Sequence, residues 1–377
     1  MIVNLVLIFI IIIAGIIFGQ LNGANKDSYA VRKKYILFIS VLLILQSGLR
    51  NVAVGEDTYT YYLDFNDIYN RSWDDIYQNF YTVYQFGEGK DPGYPLFEKM
   101  VATVFNDYQF FLFVIAILFF TAFGNFLLKN TRKLNDAVIA FIIYSVLFYG
   151  FFSITGHRQT IATAASLFAF EWIKKKKLVP FLLLIIAAAT IHKSVLLFIP
   201  FYFIATLKNA KYFNWIILLL FPILMIYKEG VSTFFKSLAG YDNYGIYEGA
   251  GTYTFTALFL IITIVALIRS KIILKDNPQA IFAFNAFTIA LLFIPLTWVN
   301  PSAMRVVQYF SIFMLILIPE IVNSYHTYAG NLQRYISTVL IVILIVLFIK
   351  SSWDAMPYGF FWEDMKLSKN YNVIRRE

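Results

Sequence analysis

Long apolar runs, separated by short charged segments, follow one another along the whole sequence. Runs such as VNLVLIFIIIIAGIIFG, which starts at Val3, and YISTVLIVILIVLFI, which starts at Tyr335, approach the ~20 residues that cross a bilayer as an α-helix. Dividing the chain at its charges gives twelve such segments, near residues 3–19, 35–49, 108–128, 137–155, 157–173, 178–190, 192–207, 212–227, 254–268, 280–299, 302–321 and 335–349. The pattern therefore predicts an all-α, polytopic integral membrane protein with about twelve transmembrane helices.

The spacing of these runs divides the chain into four regions. They are the first two transmembrane helices (1–49), an extracytoplasmic loop with interfacial helices (50–107), the main transmembrane bundle (108–349) and a polar C-terminal tail (350–377). The loop is too long for a simple connection, and its segment WDDIYQNFYTVYQF mixes aromatic and acidic residues as an interfacial amphipathic helix does. A second loop, residues 228–253, contains the stretch GYDNYGIYEGAGTYT, which is rich in Gly and Tyr and is predicted to be flexible.

Basic residues are concentrated in alternate loops. One set of loops holds 17 of the 31 Lys and Arg residues, and the positive-inside rule places that set in the cytoplasm. The opposite set contains the loop 50–107, which has 10 acidic and 4 basic residues. The net charge of +9 is therefore a sign of topology, and we expect no nucleic-acid partner.

Composition agrees with a membrane protein and narrows the chemistry. The 377 residues are 60% hydrophobic and 14% charged, whereas a soluble domain carries about 25% charged residues. Cysteine is absent and the three histidines are far apart in sequence, so no metal site is predicted. The sequence also lacks a Gly-rich nucleotide loop and a serine nucleophile elbow, and we expect no cofactor.

Three cationic or potentially cationic side chains stand where outward-facing helices are predicted to begin. The apolar run after Arg158 has only 13 residues, too few for a span, so its helix must include His157 and Arg158. The same argument places His192 at a helix start, and the Pro-Ser pair before Arg305 favours a start there. Since helix N-termini attract anions, these positions predict a phosphate or diphosphate site.

A simpler interpretation of these cations stays open. An arginine in the membrane costs about 2.5 to 3.5 kcal/mol on insertion scales, so it needs a partner, and lipid headgroups can serve as one. His192 could likewise be a helix cap. Three such residues on one predicted face, with carboxylates beside them, favour the anion site.

The carboxylates come from the loop that follows the second helix. Arg50 ends that helix, Gly55 permits a tight turn, and Asp57 follows next to Thr58. A carboxylate here could act as a general base on a hydroxyl, with a pKa tuned by nearby arginines. Glu98, where the loop returns to the membrane, is a second candidate. The loop acids Glu56, Asp64, Asp67, Asp74 and Asp75 are expected to be solvated.

Five short motifs together resemble the EpsG family, the Wzy-type polymerases of bacterial exopolysaccharide, capsule and O-antigen. They are RNVAVGEDTYTYY, GYPLFE, GHRQTIA, IHKS and MRVVQY, and they span residues 50–309 in that order. The matching positions are Arg50, Gly55, Asp57, Thr58, Tyr61, Glu98, Gly156, Arg158, Gln159, His192, Ser194, Arg305 and Tyr309. His157 departs from the pattern, which has an apolar residue there.

The resemblance implies a membrane glycosyltransferase with a GT-C-like layout, acting at the outer face of the bacterial cytoplasmic membrane. It implies polyprenyl-diphosphate-linked oligosaccharides as substrates, undecaprenyl diphosphate being the typical carrier, and transfer of the growing glycan to a sugar hydroxyl of the next unit. Membrane lipid is an expected partner, and a polysaccharide chain-length regulator is a further candidate.

The resemblance and the residues together assign provisional roles. Arg50, Arg158 and Arg305 are expected to bind the diphosphate, and direct displacement would make the transfer inverting. Asp57 is the first choice for the base, with His192 and Glu98 behind it. Other substrate contacts are expected from Thr58, Tyr61, Gln159, Ser194 and Tyr309.

Two other functions fit the same sequence. A ligase that transfers the lipid-linked glycan to a different acceptor would share every feature above. A flippase for lipid-linked units would also use many helices and a cationic site, but it should show repeat symmetry and charges buried along a path. The predicted charges cluster at one interface instead.

Overall fold

The described part of the chain is helical almost throughout, which confirms the all-α prediction. The computed structural model describes residues 2–55, 57–207, 210–239, 252–327, 331–353 and 357–367. Within these residues there are seventeen α-helices, several short 3₁₀ or π segments and one isolated β-bridge.

The chain forms two compact units. The first contains residues 1–168, 186–193 and 340–377, and the second contains residues 169–185 and 194–339. In chain order the first nine helices are α1 (Ile2–Asn22), α2 (Tyr29–Gly48), α3 (Thr58–Asn70), α4 (Trp73–Tyr81), α5 (Gly93–Val104), α6 (Tyr108–Asn130), α7 (Leu134–Leu147), α8 (His157–Lys174) and α9 (Leu178–Ile191). The others are α10 (Ile199–Ile204), α11 (Ala210–Ile226), α12 (Lys228–Ala239), α13 (Tyr253–Asp276), α14 (Ala280–Thr297), α15 (Met304–Ser311), α16 (Met314–Asn323) and α17 (Leu332–Trp353).

The number of helices suited to crossing a membrane is smaller than twelve. In the described part of the chain, four are long and apolar enough, namely α1, α6, α13 and α14, or six if two bent helix pairs each count as one span. The difference arises because several apolar runs form short helices: α7 and α9 have 14 residues each, or about 21 Å at 1.5 Å per residue, against about 30 Å of hydrocarbon. The structure thus supports a multi-pass membrane protein but not the count of twelve.

Helices α3, α4 and α5 fill the loop predicted between residues 50 and 107. The amphipathic segment forms α4 as predicted, and its start is fixed by a capping box in which Ser72 and Asp75 bond each other's backbone N–H groups. Helix α3 was not predicted, because it contains few aliphatic residues and four tyrosines. In the second predicted loop, α12 precedes the Gly- and Tyr-rich stretch, most of which lies outside the described residues.

An aromatic cluster attaches α3 and α5 to α6. Phe65 of α3 stacks on Phe111 of α6 with ring centroids 4.9 Å apart, and Tyr94 of α5 meets the same ring edge-on at 6.3 Å. Phe65 and Phe111 are fully buried. Each such side chain contributes about 1.5 to 3 kcal/mol by leaving water, so these contacts fix the helices that carry the site residues described below.

The C-terminal tail returns to the end of α2. Arg50 and Phe360 form an antiparallel β-bridge, in which the N–H of Asn51 donates to Gly359 and the N–H of Phe361 donates to Leu49, both at 2.9 Å. The Asn51 side-chain amide also donates to the Glu363 carbonyl at 2.7 Å. Backbone pairing thus holds residues 359–361 beside the first site residue of the chain.

Aromatic stacking and one buried amide organise the second unit. Phe259 of α13 and Phe287 of α14 stack with centroids 4.4 Å apart, and Phe170 meets Phe313 edge-on at 4.9 Å. The Asn285 amide donates to carbonyls at the end of α10, including that of Ala205 at 2.9 Å. These carbonyls would otherwise lack partners, because a helix end leaves its last four unpaired.

Gly93 is required by a close approach between α5 and the end of α9. A Cβ at this position would overlap Oγ1 of Thr190 and lie 2.9 Å from the carbonyl carbon of the same residue. We expect Gly93→Ala to destabilise the folded protein by about 1 to 3 kcal/mol, because the helices must move apart. Thermal unfolding in detergent measures the change. The matched control is Gly150→Ala, which adds a Cβ with no atom within 4 Å and should be nearly neutral; equal losses in both variants would contradict the packing argument.

Candidate functional site

Arg158 is held at the first turn of α8 by a carboxylate from the segment before α5. Helix α8 begins at His157, as the sequence predicted. Nη1 of Arg158 lies 3.2 Å from Oδ2 of Asp91, and its guanidinium lies 5.8 Å and 5.7 Å from the ring centres of Tyr61 and Tyr94. The side chain is 29% exposed. Since a guanidinium has five N–H donors, contact with one carboxylate leaves donors for an anionic ligand.

Asp91 connects Arg158 to the end of α9. Its Oδ1 accepts a hydrogen bond from the Lys193 backbone N–H at 3.0 Å, and its Oδ2 lies 3.5 Å from Nδ1 of His192. Burial opposes ionisation of this carboxyl, but His192, the Lys193 N–H and the Arg158 charge outweigh burial and hold the pKa of Asp91 below its usual range. The first unit thus brings a buried carboxylate, an arginine and a histidine into one cluster, called the Asp91 cluster below.

Asp91 was not predicted as a site residue because it stands in KDPGY, where an aspartate before Pro-Gly is typical of a turn. The turn is present, with Asp91 in the left-handed region at φ +52°. Nothing in the local sequence distinguishes this carboxylate from a solvated one. Its contacts come from residues 67 and 101 to 102 positions further along the chain.

His192 lies at the end of α9 and does not begin a helix. Its backbone N–H donates to the Ala188 carbonyl at 2.9 Å, and a 3₁₀ segment (Lys193–Phe198) follows before α10. The predicted helix start at His192 was therefore wrong by one residue, and the segment that follows is a 3₁₀-helix instead of an α-helix. The apolar run is interrupted because Pro200 fits only near the beginning of the short α10.

His157 forms the link between Arg50 and Tyr94. Nη2 of Arg50 lies 2.7 Å from Nε2 of His157, and the Tyr94 hydroxyl lies 3.3 Å from Nδ1. Because a guanidinium only donates, Nε2 must accept, so the imidazole is neutral with its proton on Nδ1. Tyr61 stacks on the same ring, with centroids 4.3 Å apart and planes 17° apart. This arrangement accounts for the histidine that the resemblance left unexplained.

Arg50 is buried, with 2% of its surface exposed. Apart from His157 it contacts the Ser47 carbonyl, and its Nε has no hydrogen-bond partner among the described residues. A buried guanidinium cannot deprotonate, so its charge persists inside the protein. Arg50 is therefore placed to act through its charge and through His157.

Glu98 is a second buried carboxyl of this unit. It lies on α5, one turn after Tyr94, with 2% of its surface exposed, and its Oε1 has no hydrogen-bond partner among the described residues. Burial raises the pKa of Glu98 to about 8, and the charge of Asp64 acts in the same direction. The Tyr94 hydroxyl and the Arg158 charge only partly offset these effects.

Asp57 stands directly before α3, with an exposed side chain. Its carbonyl accepts the Tyr61 N–H at 3.1 Å, but its carboxylate makes no hydrogen bond or ion pair with any described residue. Thr58 is fully buried, and its hydroxyl donates to the Ile154 carbonyl at 3.2 Å. The predicted turn at Gly55 is present at φ +103°, where a Cβ would lie 2.7 Å from the Ile154 side chain.

The remaining predicted residues are distributed between the units. Gln159 is buried on α8. Arg305, the second residue of α15, belongs to the second unit, where Asn300 caps the preceding 3₁₀ turn by accepting the Ser302 N–H at 2.8 Å. The hydroxyls of Ser194 and Tyr309 lie 3.1 Å apart in that unit. Binding of one diphosphate by both Arg158 and Arg305 stays a prediction.

No group of three His, Asp or Glu side chains in the described parts of the chain is arranged to hold a metal ion. The Asp91 cluster supplies one carboxylate and one imidazole, together with a guanidinium that repels cations. What this arrangement can do is bind an anion at Arg158 and exchange a proton at His192.

The fold defines a class, a multi-pass helical membrane protein, and its first unit holds a guanidinium, a carboxylate and an imidazole in one cluster. The chain belongs to the EpsG family, whose model matches residues 33–363. This membership confirms the resemblance and indicates a membrane protein of polysaccharide biosynthesis. No curated protein and no solved structure matches the chain.

Proposed function

We propose that the protein polymerises polyprenyl-diphosphate-linked oligosaccharide repeat units at the outer face of the bacterial cytoplasmic membrane. A sugar hydroxyl of the acceptor unit displaces the lipid diphosphate from the anomeric carbon of the donor glycan. The observation that carries this proposal is the Asp91 cluster, where a partly exposed guanidinium lies beside a histidine that can accept a proton. Membership of the EpsG family supports the substrate class.

Arginines neutralise the departing diphosphate in this proposal. Charge grows on the leaving oxygen as the bond to the sugar breaks, and a fixed guanidinium stabilises that charge without rearranging. Arg158 is the main candidate because it is partly exposed, and Arg305 is proposed as a second contact. Arg50 contributes through its buried charge. Direct displacement inverts the anomeric configuration.

The proton of the attacking hydroxyl needs an acceptor, and three residues are candidates. Asp57 has an exposed carboxylate, Glu98 has a buried one with a raised pKa, and His192 lies beside the carboxylate of Asp91. Of the three, only His192 belongs to the cluster that also holds Arg158, which favours it over Asp57, the first choice from the sequence.

Incubation of purified protein with lipid-linked repeat units in detergent tests the proposed function. We expect a ladder of polymers on a gel and release of the lipid diphosphate. Unchanged units would contradict the proposal and favour a flippase, while transfer to an added acceptor without a ladder would favour a ligase. We expect EDTA to leave polymer formation unchanged. A loss of polymer formation that Mg²⁺ or Mn²⁺ restores would refute the proposal that the diphosphate leaves without a metal ion.

The substitution Asp57→Asn separates the candidate bases. We expect it to keep the polymerisation rate within about threefold of wild type, because general base catalysis is worth about 10²- to 10⁴-fold and the exposed Asp57 is not the favoured base. Initial rates of ladder formation measure this. A drop of about 100-fold, with normal folding, would make Asp57 the base after all.

A further inference from the structure

Asp91 presents its two carboxylate oxygens to different partners. Oδ1 accepts the Lys193 backbone N–H at 3.0 Å, a contact that ties the segment before α5 to the end of α9. Oδ2 faces Nη1 of Arg158 at 3.2 Å and Nδ1 of His192 at 3.5 Å. The contact of Oδ1 is sufficient to anchor the segment before α5, so the contacts of Oδ2 with Arg158 and His192 are not needed for anchoring.

The backbone at Asp91 is held in an uncommon conformation. Its φ of +52° lies in the left-handed region, which costs a non-glycine residue about 1 to 2 kcal/mol although aspartate tolerates it better than most. The turn is closed by the Tyr94 N–H, which donates to the Asp91 carbonyl at 3.1 Å. Glycine would satisfy this turn without strain, whereas aspartate places a carboxylate inside the cluster.

The contact with His192 favours one of its two tautomers. Nδ1 lies 3.5 Å from Oδ2, and the negative charge of this oxygen favours a proton on Nδ1. In that neutral tautomer the proton-accepting nitrogen is Nε2, which is buried with the rest of the ring. A carboxylate behind Nδ1 also stabilises the imidazolium that forms when Nε2 takes a proton.

We propose that Asp91 is a positioning residue of the glycosyl transfer, orienting His192 as the proton acceptor and Arg158 for the diphosphate. The inference rests on the proposed function. In the step, Nε2 of His192 takes the proton of the acceptor hydroxyl as its oxygen bonds to the anomeric carbon. The bond from that carbon to the diphosphate oxygen breaks, and its electron pair leaves with the lipid diphosphate beside Arg158. The imidazolium later gives its proton to water.

The substitution Asp91→Asn tests the role with little change in shape. Asparagine tolerates the left-handed conformation, and its amide oxygen can still accept the Lys193 N–H. We expect kcat for polymerisation to fall about 100-fold, with a similar fall in His192→Gln and no further fall in the double variant, because the residues act as a unit. The control is Asp67→Asn, an exposed carboxylate of the same region paired with Arg71, which should keep the wild-type rate.

A second measurement reports the pairing without reference to activity. The chain has three histidines, so ¹⁵N-histidine NMR of the purified protein can be assigned with His157→Gln and His326→Gln variants. We expect His192 to carry its neutral-state proton on Nδ1 in the wild type. Asp91→Asn should move the tautomer balance toward Nε2–H while leaving the spectrum of His326 unchanged.

These two measurements test the positioning role of Asp91 separately from the proposed polymerase function. If the wild type makes no polymer, the proposed function fails, and the tautomer measurement still decides the pairing of Asp91 with His192. A rate within about threefold of wild type in Asp91→Asn would overturn the positioning role, since proton transfer contributes about 10²-fold or more. An unchanged His192 tautomer would overturn it as well, even if the rate fell through loss of folded protein.

Discussion

Replacing Arg158 with lysine is expected to reduce polymer formation by about 100-fold while the protein still folds and enters the membrane. Lysine keeps the positive charge but not the planar set of donors that contacts Asp91 and an anion together. Losing one fixed donor to a developing negative charge costs about 10²- to 10³-fold in rate. Initial rates on purified variants measure the loss, and melting temperatures report the fold.

A matched control uses another arginine of the same unit. Arg71 forms an exposed ion pair with Asp67, and exposed pairs of this kind contribute about 0 to 1 kcal/mol. Arg71→Lys should therefore keep the wild-type rate. If Arg158→Lys also kept it, Arg158 would be a structural cation and the diphosphate site would lie elsewhere.

Glu98 is expected to make the protein less stable as the pH rises. Burial raises its pKa to about 8 in the folded chain, compared with 4.5 when exposed to water. The folded state thus binds the Glu98 proton more tightly than the unfolded state does. The stability that protonated Glu98 contributes is complete below about pH 4.5 and is lost as the pH rises towards 8. Because tenfold tighter proton binding is worth about 1.4 kcal/mol, the whole contribution amounts to a few kcal/mol.

Glu98→Gln should remove much of this dependence, because the amide stays neutral. The measurement compares unfolding temperatures at pH 5.5 and pH 8.5 in detergent, where we expect the wild type to lose more stability than the variant. Glu88→Gln changes an exposed glutamate near α5 and should follow the wild type. Parallel curves for Glu98→Gln and wild type would show that Glu98 is ionised in the folded protein.

The helix that carries Arg158 could be predicted because its evidence is local. An apolar run too short to span must recruit the residues before it, and α8 begins at His157 as this argument requires. The same holds for α4, whose amphipathic pattern and capping residues are neighbours in sequence. The family motifs gave Arg50, Arg158 and His192 for a similar reason, since each motif is short and continuous.

The partners of these residues could not be predicted because they depend on packing between distant segments. Asp91 became a site candidate only when the end of α9 was placed against it. Hydropathy predicted the apolar runs but not the points at which a run divides into separate helices. A run that is apolar on every side shows no period from which its helix ends can be predicted. The pairing of Arg50 with Phe360 joins residues too far apart for any local pattern.

That pairing restricts the path of the whole chain. Backbone hydrogen bonds hold residues 49–51 against 359–361, so both lie on the same side of the bilayer and the chain between them must cross an even number of times. Within that stretch, the described helices that meet the length and composition of a span are α6, α13 and α14 plus two bent pairs, giving three or five. Both totals are odd. An even total results if one bent pair crosses the membrane and the other enters and leaves on the same side. Otherwise at least one shorter apolar helix must also cross.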